Sequence, residues 1–225
     1  MKPIELAWHT WSVIPESFAR AFLIEGTERA LLIDTGAGDT DLKSLVLALT
    51  DKPVDVVNTH NHGDHMAAND AFGDVYMHPA DLARLKEPGK IKPVKEGFVF
   101  NLGGREVAVI ETPGHTPGSI SLYDQRSGLL FTGDMVSKDP PIYFIEGDAN
   151  AEDFAASLKK LRSLDKPMFG AHDPTVNGRE TLDKLLETLA LFVAGKIKPV
   201  PAEGPMPADL YISPNGTGFR CPKRP

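Results

Sequence analysis

The run Thr59-His60-Asn61-His62-Gly63-Asp64-His65 constrains this chain more than any other stretch, because it sets four side chains able to bind metal within six residues. It follows directly on Val54 to Asn58, an apolar segment after Pro53 that reads as a buried strand. A turn at the end of that strand can fold the four side chains around one point. With 7 His and 18 Asp in 225 residues, composition alone would give H-x-H-x-D-H in roughly five of ten thousand such chains. Three imidazoles so close together would repel one another once protonated, whereas a divalent cation needs them neutral and supplies the balancing charge. The run therefore predicts a metal site at a strand end.

Further donors stand in similar places. His115 lies in Thr112-Pro113-Gly114-His115-Thr116-Pro117-Gly118 and His172 in Phe169-Gly170-Ala171-His172-Asp173, both tight turns after strand-like runs. Asp134, in Leu130-Phe131-Thr132-Gly133-Asp134, also ends an apolar strand, where a carboxylate is more often placed for a purpose than buried by accident. Each alone reads equally well as a turn or capping residue; with the first run they form a set.

Around these residues the pattern alternates strand and helix. Ala21 to Glu25 and Ala30 to Asp34 read as a hairpin through Gly26. Asp39 or Thr40 can cap a helix running to about Thr50, with Leu42, Leu45, Val46 and Leu49 on one face. A short helix around Ala67, a strand Val75 to Met77 and a helix Ala80 to Lys86 follow. Between Phe98 and Val136, glycines punctuate four short strands. Ala151 to Leu164 is an amphipathic helix, Pro167 to Ala171 a short strand, and Arg179 to Ala194 a helix whose Leu182, Leu185, Leu186, Leu189 and Phe192 face inward. Sheets packed face to face and covered by helices, an α/β class, accommodate that order. Residues 1–198 read as one catalytic domain. Residues 199–225, with seven prolines and one strand-like stretch at Leu210 to Ser213, read as an extended tail packed on its surface.

Bulk properties exclude several classes. A net charge of −7 argues against nucleic acid as the main partner. Cys221 is the single cysteine, so neither a disulfide framework nor a cysteine-rich zinc site is available, and a reducing compartment suits the chain. No apolar run approaches the roughly 20 residues that span a bilayer, and Pro3, Glu5 and His9 interrupt what a secretory leader would need. A cytoplasmic protein acting on a small molecule, with no membrane or nucleic-acid partner, is the simplest expectation; a homodimer is left open.

The ordered set resembles the metallo-β-lactamase superfamily over about residues 20 to 175. The resemblance implies an αβ/βα four-layer sandwich, two mixed β-sheets covered by helices, with the site at one end of the sheets. It also implies how the ligands sort: His60, His62 and His115 on a first metal, Asp64, His65 and His172 on a second, and Asp134 bridging both. Asp34, in Leu31-Leu32-Ile33-Asp34-Thr35-Gly36, matches a family position that orients ligands by hydrogen bonding. Two divalent cations follow, zinc by expectation, although imidazole and carboxylate accept Fe²⁺ and Mn²⁺ as well. The implied activity is hydrolysis of an ester, thioester or lactone by a metal-bridging hydroxide, with Asp64 or Asp134 relaying the proton. Hydroxyacylglutathione hydrolases and lactonases share this ligand pattern. The alternatives are an oxidoreductase like the mononuclear-iron persulfide dioxygenases, or a β-lactam hydrolase.

Overall fold

The computed structural model describes residues 2–14, 16–86, 89–202 and 207–222. Seven strands form the first sheet, in chain order: β1 (Ile4–Ala7), β2 (Thr10–Ser12), β3 (Phe22–Glu25), β4 (Ala30–Ile33), β5 (Val54–Val57), β6 (Val75–Met77) and β7 (Lys92–Pro93). Pairing is antiparallel from β1 to β4 and parallel from β4 to β7, so the sheet is mixed. Three short helices lie between these strands: α1 (Leu42–Leu47), α2 (Gly63–Met66) and α3 (Pro79–Leu82). The second sheet uses β8 (Val99–Asn101), β9 (Glu106–Glu111), β10 (Ile120–Asp124), β11 (Leu129–Phe131) and β13 (Met168–Phe169), in the order β13-β11-β10-β9-β8. Between β11 and β13 come β12 (Ile142–Tyr143) and α4 (Ala151–Leu164), and α5 (Arg179–Val193) follows β13.

Strand periodicity sorts the side chains into layers. Phe22, Ile24, Leu31, Ile33 and Val57 of the first sheet meet Val107, Val109, Ile120, Leu122, Phe131 and Phe169 of the second, and this is the core between the sheets. The alternate residues Leu23, Leu32 and Val56 pack outward on Leu42 and Val46 of α1. On the far side, Ile110, Leu130 and Met168 pack on Phe154, Leu158 and Leu161 of α4 and on Leu182, Leu185 and Leu189 of α5. Helix, sheet, sheet, helix is the four-layer order expected.

Some boundaries differ from the sequence reading. Asp41, not Asp39 or Thr40, caps α1, accepting from the Ser44 amide at 3.2 Å. The helix ends at Leu47 rather than near Thr50, because Thr50 turns inward to donate its hydroxyl to the buried Glu25 at 2.7 Å. The second short helix starts at Gly63, inside the histidine run rather than around Ala67, and α3 stops at Leu82, passing into tighter three-residue turns. The C-terminal residues are not a simple extended tail. β14 (Val200–Ala202), β15 (Ala208–Ile212) and β16 (Gly218–Pro222) join β12 in a third sheet, ordered β12-β16-β15-β14. Pro-Asn-Gly at positions 214–216 makes the β15–β16 turn, and Phe219 is buried with Phe154 and Phe192 in the helix-side core. No described helix is long and apolar enough to cross a membrane.

Candidate metal centre

The loops at one end of both sheets converge. After β5 the chain turns through His60 and His62, and α2 carries Asp64 and His65. The β9–β10 loop brings His115, the end of β11 Asp134, and the end of β13 His172. Two glycines permit this crowding. Gly114 has φ +137°, and a Cβ there would stand 2.3 Å from the Phe154 backbone; Gly133 has φ +52° and would bring a Cβ within 2.5 Å of Thr59.

All seven donors predicted from sequence come together, in two groups whose ligand atoms lie within 4.8 Å of one another: His60, His62, His115 and Asp134, and Asp64, His65 and His172. In the first group, His60 Nε2 and His115 Nε2 each stand 3.1 Å from His62 Nδ1. Asp134 reaches both groups, with Oδ2 3.4 Å from His115 Nε2 and 3.2 Å from His172 Nε2, and Oδ1 3.3 Å from His65 Nε2. Asp64 Oδ2 completes the second group, 3.4 Å from His172 Nε2.

The outward nitrogens fix which inner atoms carry lone pairs. His115 Nδ1–H donates to the Tyr143 carbonyl at 2.9 Å, His172 Nδ1–H to the Phe18 carbonyl at 2.6 Å, and His65 Nδ1–H to Asp34 Oδ2 at 2.8 Å. The Thr59 hydroxyl donates to Asp34 at 2.8 Å and so accepts from His60 Nδ1–H at 3.0 Å. When these four imidazoles are neutral, as metal binding requires, Nε2 is the nitrogen left with a lone pair, and it is aimed inward. Asp34 itself adopts a left-handed φ of +60° and also accepts from the Thr59 amide at 2.7 Å.

These residues fit a pair of cations. Ligands tetrahedrally placed about 2.0–2.1 Å from zinc stand about 3.3 Å apart, close to the separations above. His65 Nε2 and Asp134 Oδ1 are buried and face each other without hydrogen-bond alignment, an arrangement that costs stability unless something else satisfies both. Burial holds His60 well below the ordinary imidazole range, lowers His62, and pushes His115 down to about 4, against the pull of Asp134. For His65 and His172 burial acts the same way, but the neighbouring carboxylates, Asp134 with Asp34 for His65 and Asp134 with Asp64 for His172, together outweigh it and both are raised. Asp134 is held well below the carboxylate range, His172 and His65 overcoming its desolvation.

Two supporting residues escaped the sequence reading. Asp81, fully buried, accepts from the Asn61 amide at 3.0 Å, the Thr116 hydroxyl at 2.7 Å and the Gly118 amide at 2.7 Å, clamping the His60 and His115 loops together. Asp148 stands 3.5 Å from His62 Nε2 and contacts Arg84. Neither lies in a local motif; Asp81 reads simply as a first-turn acid of a short helix.

A family model described as the metallo-beta-lactamase superfamily matches residues 14–172. Among relatives, the chain is 29% identical to the "Acyl-coenzyme A thioesterase MBLAC2" of Gallus gallus, over 65% of this chain and 67% of that protein. It is 31% identical to a hydroxyacylglutathione hydrolase of Synechococcus sp. (strain JA-2-3B'a(2-13)), over 67% of this chain and 61% of that protein. The chain thus spans about two thirds or less of the length of these curated relatives. Among solved structures, a metallo-beta-lactamase from Pontibacter korlensis superposes with a TM-score of 0.68 at 19% identity, covering 84% of this chain and 98% of that one.

Proposed function

This chain belongs to the metallo-β-lactamase superfamily, and on that premise we propose that it is a dinuclear metal-dependent hydrolase acting on thioesters and related esters or lactones. The observation that carries the reading is the shared position of Asp134 between two complete donor groups. His60, His62 and His115 hold the first cation, Asp64, His65 and His172 the second, and Asp134 both; zinc suits the donors best, with Fe²⁺ and Mn²⁺ also accommodated. Bound divalent cations supply Lewis acidity toward a carbonyl and lower the pKa of coordinated water from 15.7 to about 7.

The chain's own residues do the rest. Thr59, Asp34, Tyr143 and Phe18 keep four imidazoles in one tautomer and one orientation, so nothing has to reorganise during turnover. Asp64 lines the mouth of the site and is half-buried there; with Oδ2 turned to the second donor group, its other oxygen is placed to relay the proton released by the attacking water to a departing thiolate or alkoxide. Phe18 and Tyr143 form apolar sides of the same mouth and limit water around the scissile bond. The two named relatives support the choice of thioesters, one being called an acyl-coenzyme A thioesterase and the other a hydroxyacylglutathione hydrolase.

Elemental analysis joined to a panel of thioesters, esters, lactones and β-lactams tests the reading. The expected result is two divalent cations per chain, with thioester turnover abolished by chelation. Asp134→Ala should uncouple the two groups and lower kcat at least a hundredfold. Full metal content with undiminished turnover in that variant would overturn the assignment.

A further inference from the structure

Beside the mouth the chain encloses a second space. A cavity of about 100 Å³ is walled by Phe18, Pro140, Pro141, Ile142, Tyr143 and Arg220, and Asp134 and His172 also line it. Ile142 is buried, the proline rings carry no donor, and the Ser137 hydroxyl at the edge is engaged with the Pro140 carbonyl at 2.6 Å. Arg220 lies over the Tyr143 ring, 5.3 Å from its centroid, across the parallel pairing of β12 with β16. Three pieces of chain therefore build the wall, and one of them, β16, lies beyond the 14–172 region that the family model matches.

We propose that this recess receives the acyl group of the substrate and selects short aliphatic chains of about four carbon atoms, an inference that rests on the hydrolase reading above. Asp134 and His172 belong both to the recess and to the open mouth lined by His62, Asp64 and Ile145. A carbonyl placed at these ligands has its two substituents pointing two ways, one into the enclosed space and one out through the mouth. A dry cavity of ~150 Å³ accommodates benzene, so about four carbons fill this one. A bulky thiol carrier does not fit inside and leaves by the mouth. The smaller, acyl half takes the recess.

The experiment uses the metal-loaded full chain and straight-chain acyl thioesters of one common thiol, from two to ten carbons. kcat/KM should rise roughly fourfold per added methylene while the recess fills, peak near four carbons and fall at least tenfold by eight. Ile142→Ala should move the peak one or two carbons longer; Ile142→Val, a gentler change to the core, should move it the same way by less. A readout independent of turnover is calorimetric titration with the free straight-chain carboxylic acids, where four-carbon acids should bind at least tenfold tighter than eight-carbon ones. Turnover with a flat profile, or one that favours long chains, overturns the recess and leaves the hydrolase reading standing. Discrimination among acids with no turnover of thioesters, esters or lactones supports the recess as an acyl site and overturns the hydrolase reading. Absence of both overturns both.

Discussion

Asp81 carries no chemistry of its own, yet its two oxygens receive hydrogen bonds from both loops that bring the first donor group together. Asp81→Asn keeps the shape but replaces one acceptor oxygen with an NH₂ that faces a backbone N–H or the Thr116 hydroxyl. The expected outcome is metal affinity weakened about 10- to 100-fold, measured by competition with a chelator, with a circular dichroism spectrum unchanged. The seven donors themselves were legible because His60 to His65 announces itself within six residues, and His115, Asp134 and His172 each follow a strand. The partners that aim them were not, apart from Asp34. Asp81 acts on residues 20 and more positions away, and the Tyr143 and Phe18 acceptors are backbone carbonyls, which any residue type would provide.

Among elements, the two long helices and the four strands between Phe98 and Val136 followed from periodicity, since each buries a continuous stripe or face. The short pieces were harder, because a helix of four residues such as α2 or α3 is set by contacts made elsewhere. The C-terminal strands were hidden by their prolines. Pro201 sits on the edge strand β14 and Pro222 ends β16, both positions where a missing N–H is tolerated. Glu25, closing β3, ties that strand to the segment after α1 through Lys52 at 2.6 Å and Thr50 at 2.7 Å, and to the β1–β2 turn through His9. Burial alone would raise its pKa, but these three partners bring it down to about 2. A depressed carboxylate contributes stability above its unfolded value and loses it as pH falls through the folded one. The urea midpoint of the native chain should therefore exceed that of Glu25→Gln most clearly above about pH 4.5, the difference shrinking toward pH 2. A gap that stayed constant across that window would remove Glu25 from the account.

At the scale of the whole molecule the two sheets are joined by more than apolar packing. Arg105, at the foot of β9, pairs with Asp124 and reaches into the first sheet, donating to the carbonyls of Trp8, His9 and Glu25 at 3.2, 2.9 and 3.0 Å. Arg105→Leu strips those carbonyls of their donor and leaves Asp124 a buried, uncompensated charge; the expected loss is about 3–5 kcal/mol of unfolding free energy, read from denaturant titration. Arg105 looks on paper like a solvated turn residue, and its burial follows only from the packing of one sheet on the other. The division of donors has a similar reach. His60, His62, Asp64 and His65 hang from the first sheet, whereas His115, Asp134 and His172 hang from the second. A half-folded chain can therefore offer no more than part of either group, so on the hydrolase reading proposed above a complete metal site would form only when the two halves dock. On that reading, metal in the surroundings would act as a latch on the finished molecule, and its depletion would loosen first the joint between the halves.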